Sequence, residues 1–125
     1  MDRVFITIAA LSGFVAVALG AFGAHALRDR LSASLLDTFQ TGVTYQMYHA
    51  LALLAVGILL ARFSVDGSPW LTAAGWLFIA GTVLFSGSLY LLALTDTRWL
   101  GAITPVGGVG LLLGWLALAL GLWRQ

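Results

Sequence analysis

The side chains of this chain that could bind or react are few: His25, Tyr45, Gln46, His49, Ser86, Ser88, Tyr90 and Thr104. Two imidazoles raise metal or haem ligation, since a haem takes axial ligands from opposite faces at matched depth. Zinc takes three or four protein ligands, the chain has no cysteine and no carboxylate accompanies this pair inside the apolar runs, so no metal site is expected. Catalysis lacks its usual parts as well. There is no serine–histidine–acid arrangement, no paired carboxylate and no phosphate-binding loop, so no enzyme activity and no cofactor is expected. Hydrogen bonding remains. Gly42, Gln46 and His49 fall on one helical face by their 4-3 spacing, and Tyr45 with His49 makes an i, i+4 pair.

The segments that carry these residues are strongly apolar. Runs at about Val4–Ala24, Gly42–Ala61, Pro69–Leu94 and Ile103–Trp123 contain no charged side chain. Each is near the roughly 20 residues that a helix needs to cross about 30 Å of hydrocarbon. Mean hydropathy is +1.01 and charged residues make up 9% of the chain, too little polar surface for a water-soluble fold of 125 residues. Backbone groups in lipid must be satisfied internally, which predicts helices throughout. The expected fold is an all-α membrane protein, a single antiparallel bundle of four transmembrane helices spanning residues 1–125. A net charge of +1 gives no basic patch for nucleic acid. The bilayer itself is the first partner.

The first run could be mistaken for a secretory signal, with Arg3 ahead of it and Ala24-His25-Ala26 resembling a cleavage site. It exceeds the 7–15 residues of a usual signal core and carries a small-residue ridge at Ser12, Ala16, Gly20 and Ala24, so retention as a span is expected. After the charged link Arg28-Asp29-Arg30, a short interfacial amphipathic helix is expected at about 32–41, continuous with the second span. Ser34 and Asp37 would form its capping box. Arg62–Pro69 reads as a turn, with Ser68 as cap and Pro69 as the first helical residue of the third span. Thr104-Pro105 repeats that pattern, so the fourth helix starts or kinks there. Trp70, Trp99 and Trp123 fall at span ends, where indole favours the headgroup zone.

Between helices in lipid, close packing and hydrogen bonds replace the hydrophobic effect. Gly107, Gly110, Gly114, Ala117 and Gly121 form a stripe of small residues on one face of the fourth span, and the ridge on the first span is its expected partner. The stripe also suits contact with a second copy of the chain or another membrane protein.

Most polar residues within the spans gather in the leaflet nearest the Arg28 and Arg98 links. Two readings are open. One is a small pocket, with His25 and His49 near its mouth, that takes a small solute or lipid headgroup. The other, which carries more weight, is an interhelical hydrogen-bond network that fixes the bundle. A haem or quinone site at His25 and His49 stands last. Orientation is undetermined by charge, with Arg3, Arg62 and Arg124 on the terminal face against Arg28, Arg30 and Arg98 on the other.

Four ordered motifs carry a family resemblance: GAFGAHAL at Gly20–Leu27, FQTGVTYQMYH at Phe39–His49, LFSGSLY at Leu84–Tyr90 and ITPVGG at Ile103–Gly108. The chain resembles, over essentially its full length, the YgdD/YwdK family of small bacterial inner-membrane proteins of unknown function. That resemblance implies four spans in the inner membrane and brings no catalytic residues. The basic C-terminal tail common in the family implies cytoplasmic termini; Arg124 is what remains of such a tail here. The function expected is that of an accessory or structural protein binding partner helices or lipid.

Overall fold

The computed structural model describes residues 1–63 and 68–124, and these are almost entirely helical. Helices α1 (Asp2–His25), α2 (Ala33–Phe63), α3 (Pro69–Thr95) and α4 (Thr104–Trp123) follow one another, with a 3₁₀ turn at Arg98–Ala102 ahead of α4. All four are long and apolar enough to cross a membrane. The protein is an all-α membrane protein with no strand among the described residues.

Local chemistry sets most of the boundaries. Ser68 caps α3 by accepting the Leu71 amide at 3.3 Å, and Pro69 occupies the first turn, where its missing N–H costs nothing. At the other end Asp96 takes a left-handed conformation, φ 51°, and its N–H closes the helix onto the Leu92 carbonyl at 2.8 Å. Most of the turn expected at Arg62–Pro69 lies outside the described residues. The cap of α2 differs from the expected capping box. Ser32, not Ser34, accepts an amide, that of Leu35 at 3.1 Å, and Ser34 is already inside the helix. The amphipathic stretch at 32–41 is continuous with the second span and forms the opening of the single 31-residue α2. Thr104 begins α4 without capping it, because its hydroxyl is drawn to Ser88 instead.

Each helix packs on its predecessor: α1 on α2, α2 on α3, α3 on α4. The short links compel this. An α1–α4 seam does not form, so the expected pairing of the α4 stripe with the α1 ridge is corrected. The ridge is taken up by α2, where Gly20 faces Val43 and the Ser12 carbonyl meets Gln46. The stripe lies on α3. A Cβ at Gly107 would strike the Phe85 backbone nitrogen, one at Gly114 would come within 2.7 Å of the Phe78 ring, and one at Gly121 within 2.9 Å of Leu71. A Cβ at Gly110 would meet the Gly81 Cα at an ordinary 3.4 Å, and Ala117 is buried. In the half nearest the termini, Phe5 inserts over Gly75, with Val56, Leu71 and Phe78 filling the core beside it.

Candidate functional site

The inward face of α2 builds the centre of the polar cluster. Gln46 and His49 are buried on it, as is Gly42, one turn nearer the loops. The Gln46 amide joins three helices. Its Nε2 donates to the Ser12 carbonyl of α1 at 2.9 Å and lies 3.3 Å from the Ser12 hydroxyl, while its Oε1 accepts from the Tyr90 hydroxyl of α3 at 2.6 Å. Ser86 donates to the Gly42 carbonyl at 2.7 Å. That contact needs glycine, because a Cβ at residue 42 would come within 2.7 Å of the Tyr90 ring.

His49 is held from both sides. Its Nδ1 lies 2.7 Å from the Tyr45 carbonyl, which can only accept, so Nδ1 carries the proton. Its Nε2 then accepts the indole N–H of Trp115 from α4 at 3.1 Å. The ring is a neutral imidazole with no lone pair to spare. Rings surround it: Tyr45 stacks at 6.2 Å, and Phe78 and Trp115 lie 5.6 and 5.9 Å away. Ser88 donates to the Phe85 carbonyl at 2.9 Å and pairs with the Thr104 hydroxyl at 2.5 Å, tying α3 to the start of α4.

The structure therefore joins six of the expected residues, Gln46, His49, Ser86, Ser88, Tyr90 and Thr104, into bonds that cross between helices or brace them. Tyr45 contributes its carbonyl and its ring, while its hydroxyl has no hydrogen-bond partner among the described residues. His25 is exposed at the end of α1 and lies outside the cluster. Gly23, two residues before it, is level with Phe39, ten residues before His49, and because α1 and α2 run antiparallel the two histidines are separated by about 18 Å along the helix axis. With His49 doubly bonded and His25 at another level, the pair does not fit axial ligation of a haem. Among the described residues, no group of three His, Asp or Glu side chains is placed to hold a metal ion.

Ser12 and Trp115 belong to this network and were not legible as members. Ser12 was visible only as one step of a small-residue ridge, and the available sign for Trp115 was its distance from either end of α4. Both stand near the midpoints of their helices, so the cluster extends from the loop-side leaflet to the middle of the membrane. No buried side-chain nitrogen or oxygen among the described residues lacks a partner.

Two grooves flank the network. One, of about 440 Å³, runs between α1 and α3 with Ser12, Gln46, His49, Ser86 and Tyr90 along it. The other, of about 520 Å³, runs between α2 and α4 and is lined by Tyr45, Tyr48, Phe85, Gly108, Leu112 and Trp115 among others. Exposed apolar side chains, Leu11 and Val83 on the first and Val109 and Leu112 on the second, form their rims, so both open sideways toward lipid.

Four apolar helices joined by interhelical hydrogen bonds, with grooves facing the bilayer, define a polytopic α-helical membrane protein. Residues 19–108 match the family described as "Protein of unknown function (DUF423)". A UPF0382 membrane protein of Staphylococcus saprophyticus is 50% identical over 122 residues, covering 98% of each chain. The UPF0382 membrane protein YwdK of Bacillus subtilis is 50% identical over 114 residues, 91% of each chain. A further relative, from Staphylococcus epidermidis, is 50% identical over 118 residues, 94% of this chain and 93% of its own. The chain belongs to this DUF423/UPF0382 family of membrane proteins. No solved structure matches it.

Proposed function

We propose that this protein is an accessory membrane protein, without catalytic activity of its own, that holds lipid or a helix of a partner against its sides. One observation carries the reading. Its grooves open laterally into the bilayer, while the buried polar groups beneath them are already satisfied by one another. A site for a polar solute needs convergent groups left free to bind it, because a bound solute must recover the hydrogen bonds it gave up in water. We infer further that it resides in the inner (plasma) membrane with cytoplasmic termini. The resemblance to the YgdD/YwdK family, which implies a basic C-terminal segment on the cytoplasmic side, supports that orientation, with Arg124 the basic residue this chain has there.

Affinity purification from a mild detergent tests the proposal. Recovery with a second copy, another membrane protein or tightly held lipid is the expected result; a lipid-free, partner-free monomer would overturn it. A second reading, a binder of a small solute or lipid headgroup through the polar cluster, is favoured by the position of Gln46, His49, Ser86 and Tyr90 along the α1–α3 groove. His49→Leu separates the two. In a structural network it lowers stability by roughly 1–2 kcal/mol by stranding the Trp115 N–H, and leaves any bound lipid or partner in place. In a solute site it abolishes binding while stability barely moves.

A further inference from the structure

We propose that the groove between α2 and α4 holds one acyl chain of a phospholipid, with the phenols of Tyr45 and Tyr48 hydrogen-bonded to its glycerol ester carbonyls. This rests on the lipid-binding arm of the function proposed above and names its site.

The starting observation is a pair of donors without acceptors. Tyr90 gives its hydroxyl to Gln46. The hydroxyls of Tyr45 and Tyr48 meet no partner among the described residues, although both lie on a membrane-spanning helix and are 40% and 59% exposed. A phenol facing hydrocarbon alone forfeits a hydrogen bond that water would have supplied. Their acceptor must come from outside the chain.

Position says what the acceptor is. Helical side chains lean toward the N-terminus of their helix, and the N-terminus of α2 is at the loop face, so both phenols reach toward that surface. The Tyr45 ring packs on Phe85 at 4.7 Å, and Phe85 is level with Gly107 in the first turn of α4. The Tyr45 ring is thus level with the first turn of α4 in the loop-side half of the bundle, with the Tyr48 ring 6.0 Å from it, and on that side the nearest acceptors a bilayer offers are ester carbonyls. The rest of the groove offers no donor. Trp115 turns its N–H inward to His49 and leaves ring surface to the groove, beside Val109 and Leu112. Gly108 adds no side chain and keeps the channel open.

Donors at one end and hydrocarbon surface along the rest match an amphiphile whose polar end brings acceptors. A partner helix matches poorly: its carbonyls are already used within the helix, and its diameter of about 10–12 Å suits a broad face better than a groove of about 520 Å³. The α1–α3 groove lacks this pair of donors at one end: Gln46, Ser86 and Tyr90 are bonded within the protein, and Thr82 is the one lining hydroxyl without a partner among the described residues.

Two glycines make the test selective. A Cβ at Gly108 meets only the Phe85 ring, at 3.7 Å, and a Cβ at Gly87 meets nothing within 4 Å. Gly108→Leu therefore fills the α2–α4 groove and Gly87→Leu fills part of the α1–α3 groove, neither against a backbone. The intact chain in mild detergent is titrated with dioleoyl phosphatidylglycerol, and bound lipid is counted by native mass spectrometry. Wild type and Gly87→Leu should retain one discrete lipid, and Gly108→Leu should retain none. Tyr45→Phe/Tyr48→Phe, which keeps every ring contact, should bind roughly ten-fold more weakly, about three-fold for each membrane hydrogen bond. The diether analogue of the same lipid, which has no carbonyls, should show the same loss on wild type.

Retention by Gly108→Leu, loss in Gly87→Leu alone, equal binding of ester and ether lipids, or a discrete adduct with an isoprenoid quinone in place of phospholipid would each overturn this site. Annular, non-stoichiometric lipid on wild type would overturn it too. If a protein partner is then recovered in the purification described above, the accessory reading survives; if neither lipid nor partner is held, both fall.

Discussion

Gln46→Leu keeps roughly the length of the side chain and removes both ends of its clasp. The Tyr90 hydroxyl then has no acceptor, and the link from α2 to the Ser12 carbonyl is gone. A loss of about 1–2 kcal/mol of stability is expected, because single hydrogen bonds in membranes are worth less than their isolation suggests. Unfolding in detergent should show it, and Tyr90→Phe made in both backgrounds measures the bond itself. A coupling of roughly 0.6 kcal/mol is expected, and a coupling of zero would mean that the two groups do not interact. Much of this face was legible beforehand: the 4-3 spacing of Gly42, Gln46 and His49 reveals a shared inward face, since helical periodicity alone dictates it. The receivers were not legible. Ser12 and Trp115 are remote in sequence, and whether they meet α2 depends on the depth and tilt at which neighbouring helices pass.

The α4 stripe shows the same division one level up. Its spacing fixes a smooth face, but a smooth face fits any close backbone, and two candidates were available. The link through Thr95–Arg98 leaves α4 beside α3, and the α1 ridge is already occupied by α2. Substitutions at element scale should follow that geometry. Gly107→Leu meets the Phe85 backbone, which cannot yield without moving a helix, so it should be the most disruptive change on the stripe. Gly114→Leu meets the Phe78 ring and should cost several kcal/mol, in the range of severe overpacking. Leu112→Ala removes a side chain that is 66% exposed to lipid and should change stability by less than about 1 kcal/mol. Thermal unfolding in detergent ranks the three, and a Gly114→Leu protein as stable as wild type would place the stripe against lipid instead. The opening of α2 was legible in outline and missed in detail. Ser32 and Ser34 are equally good caps by type, and only the backbone path decides which one meets a free amide.

At the scale of the molecule, four uncharged runs made the class plain, because their length and composition leave no soluble alternative. Their direction through the membrane has no such signature: the arginines divide three against three, with Arg3, Arg62 and Arg124 facing Arg28, Arg30 and Arg98. The proposed cytoplasmic termini can be read directly, because the chain contains no cysteine and any introduced thiol is unique. Asp2→Cys and Asp29→Cys suit the purpose, since aspartate contributes little to topology. In intact cells a membrane-impermeant maleimide should label Asp29→Cys and leave Asp2→Cys untouched until the cells are opened. The reverse pattern would invert the protein and carry the α2–α4 groove mouth, with Tyr45 and Tyr48, to the cytoplasmic leaflet. Balance also makes the orientation fragile. Replacing Arg3 and Arg124 with glutamine leaves Arg62 as the terminal face's one arginine against three opposite, which should produce a mixed or inverted population, whereas replacing Arg28 and Arg30 should leave the wild-type pattern intact. A molecule insensitive to both changes would owe its direction to something other than its arginines.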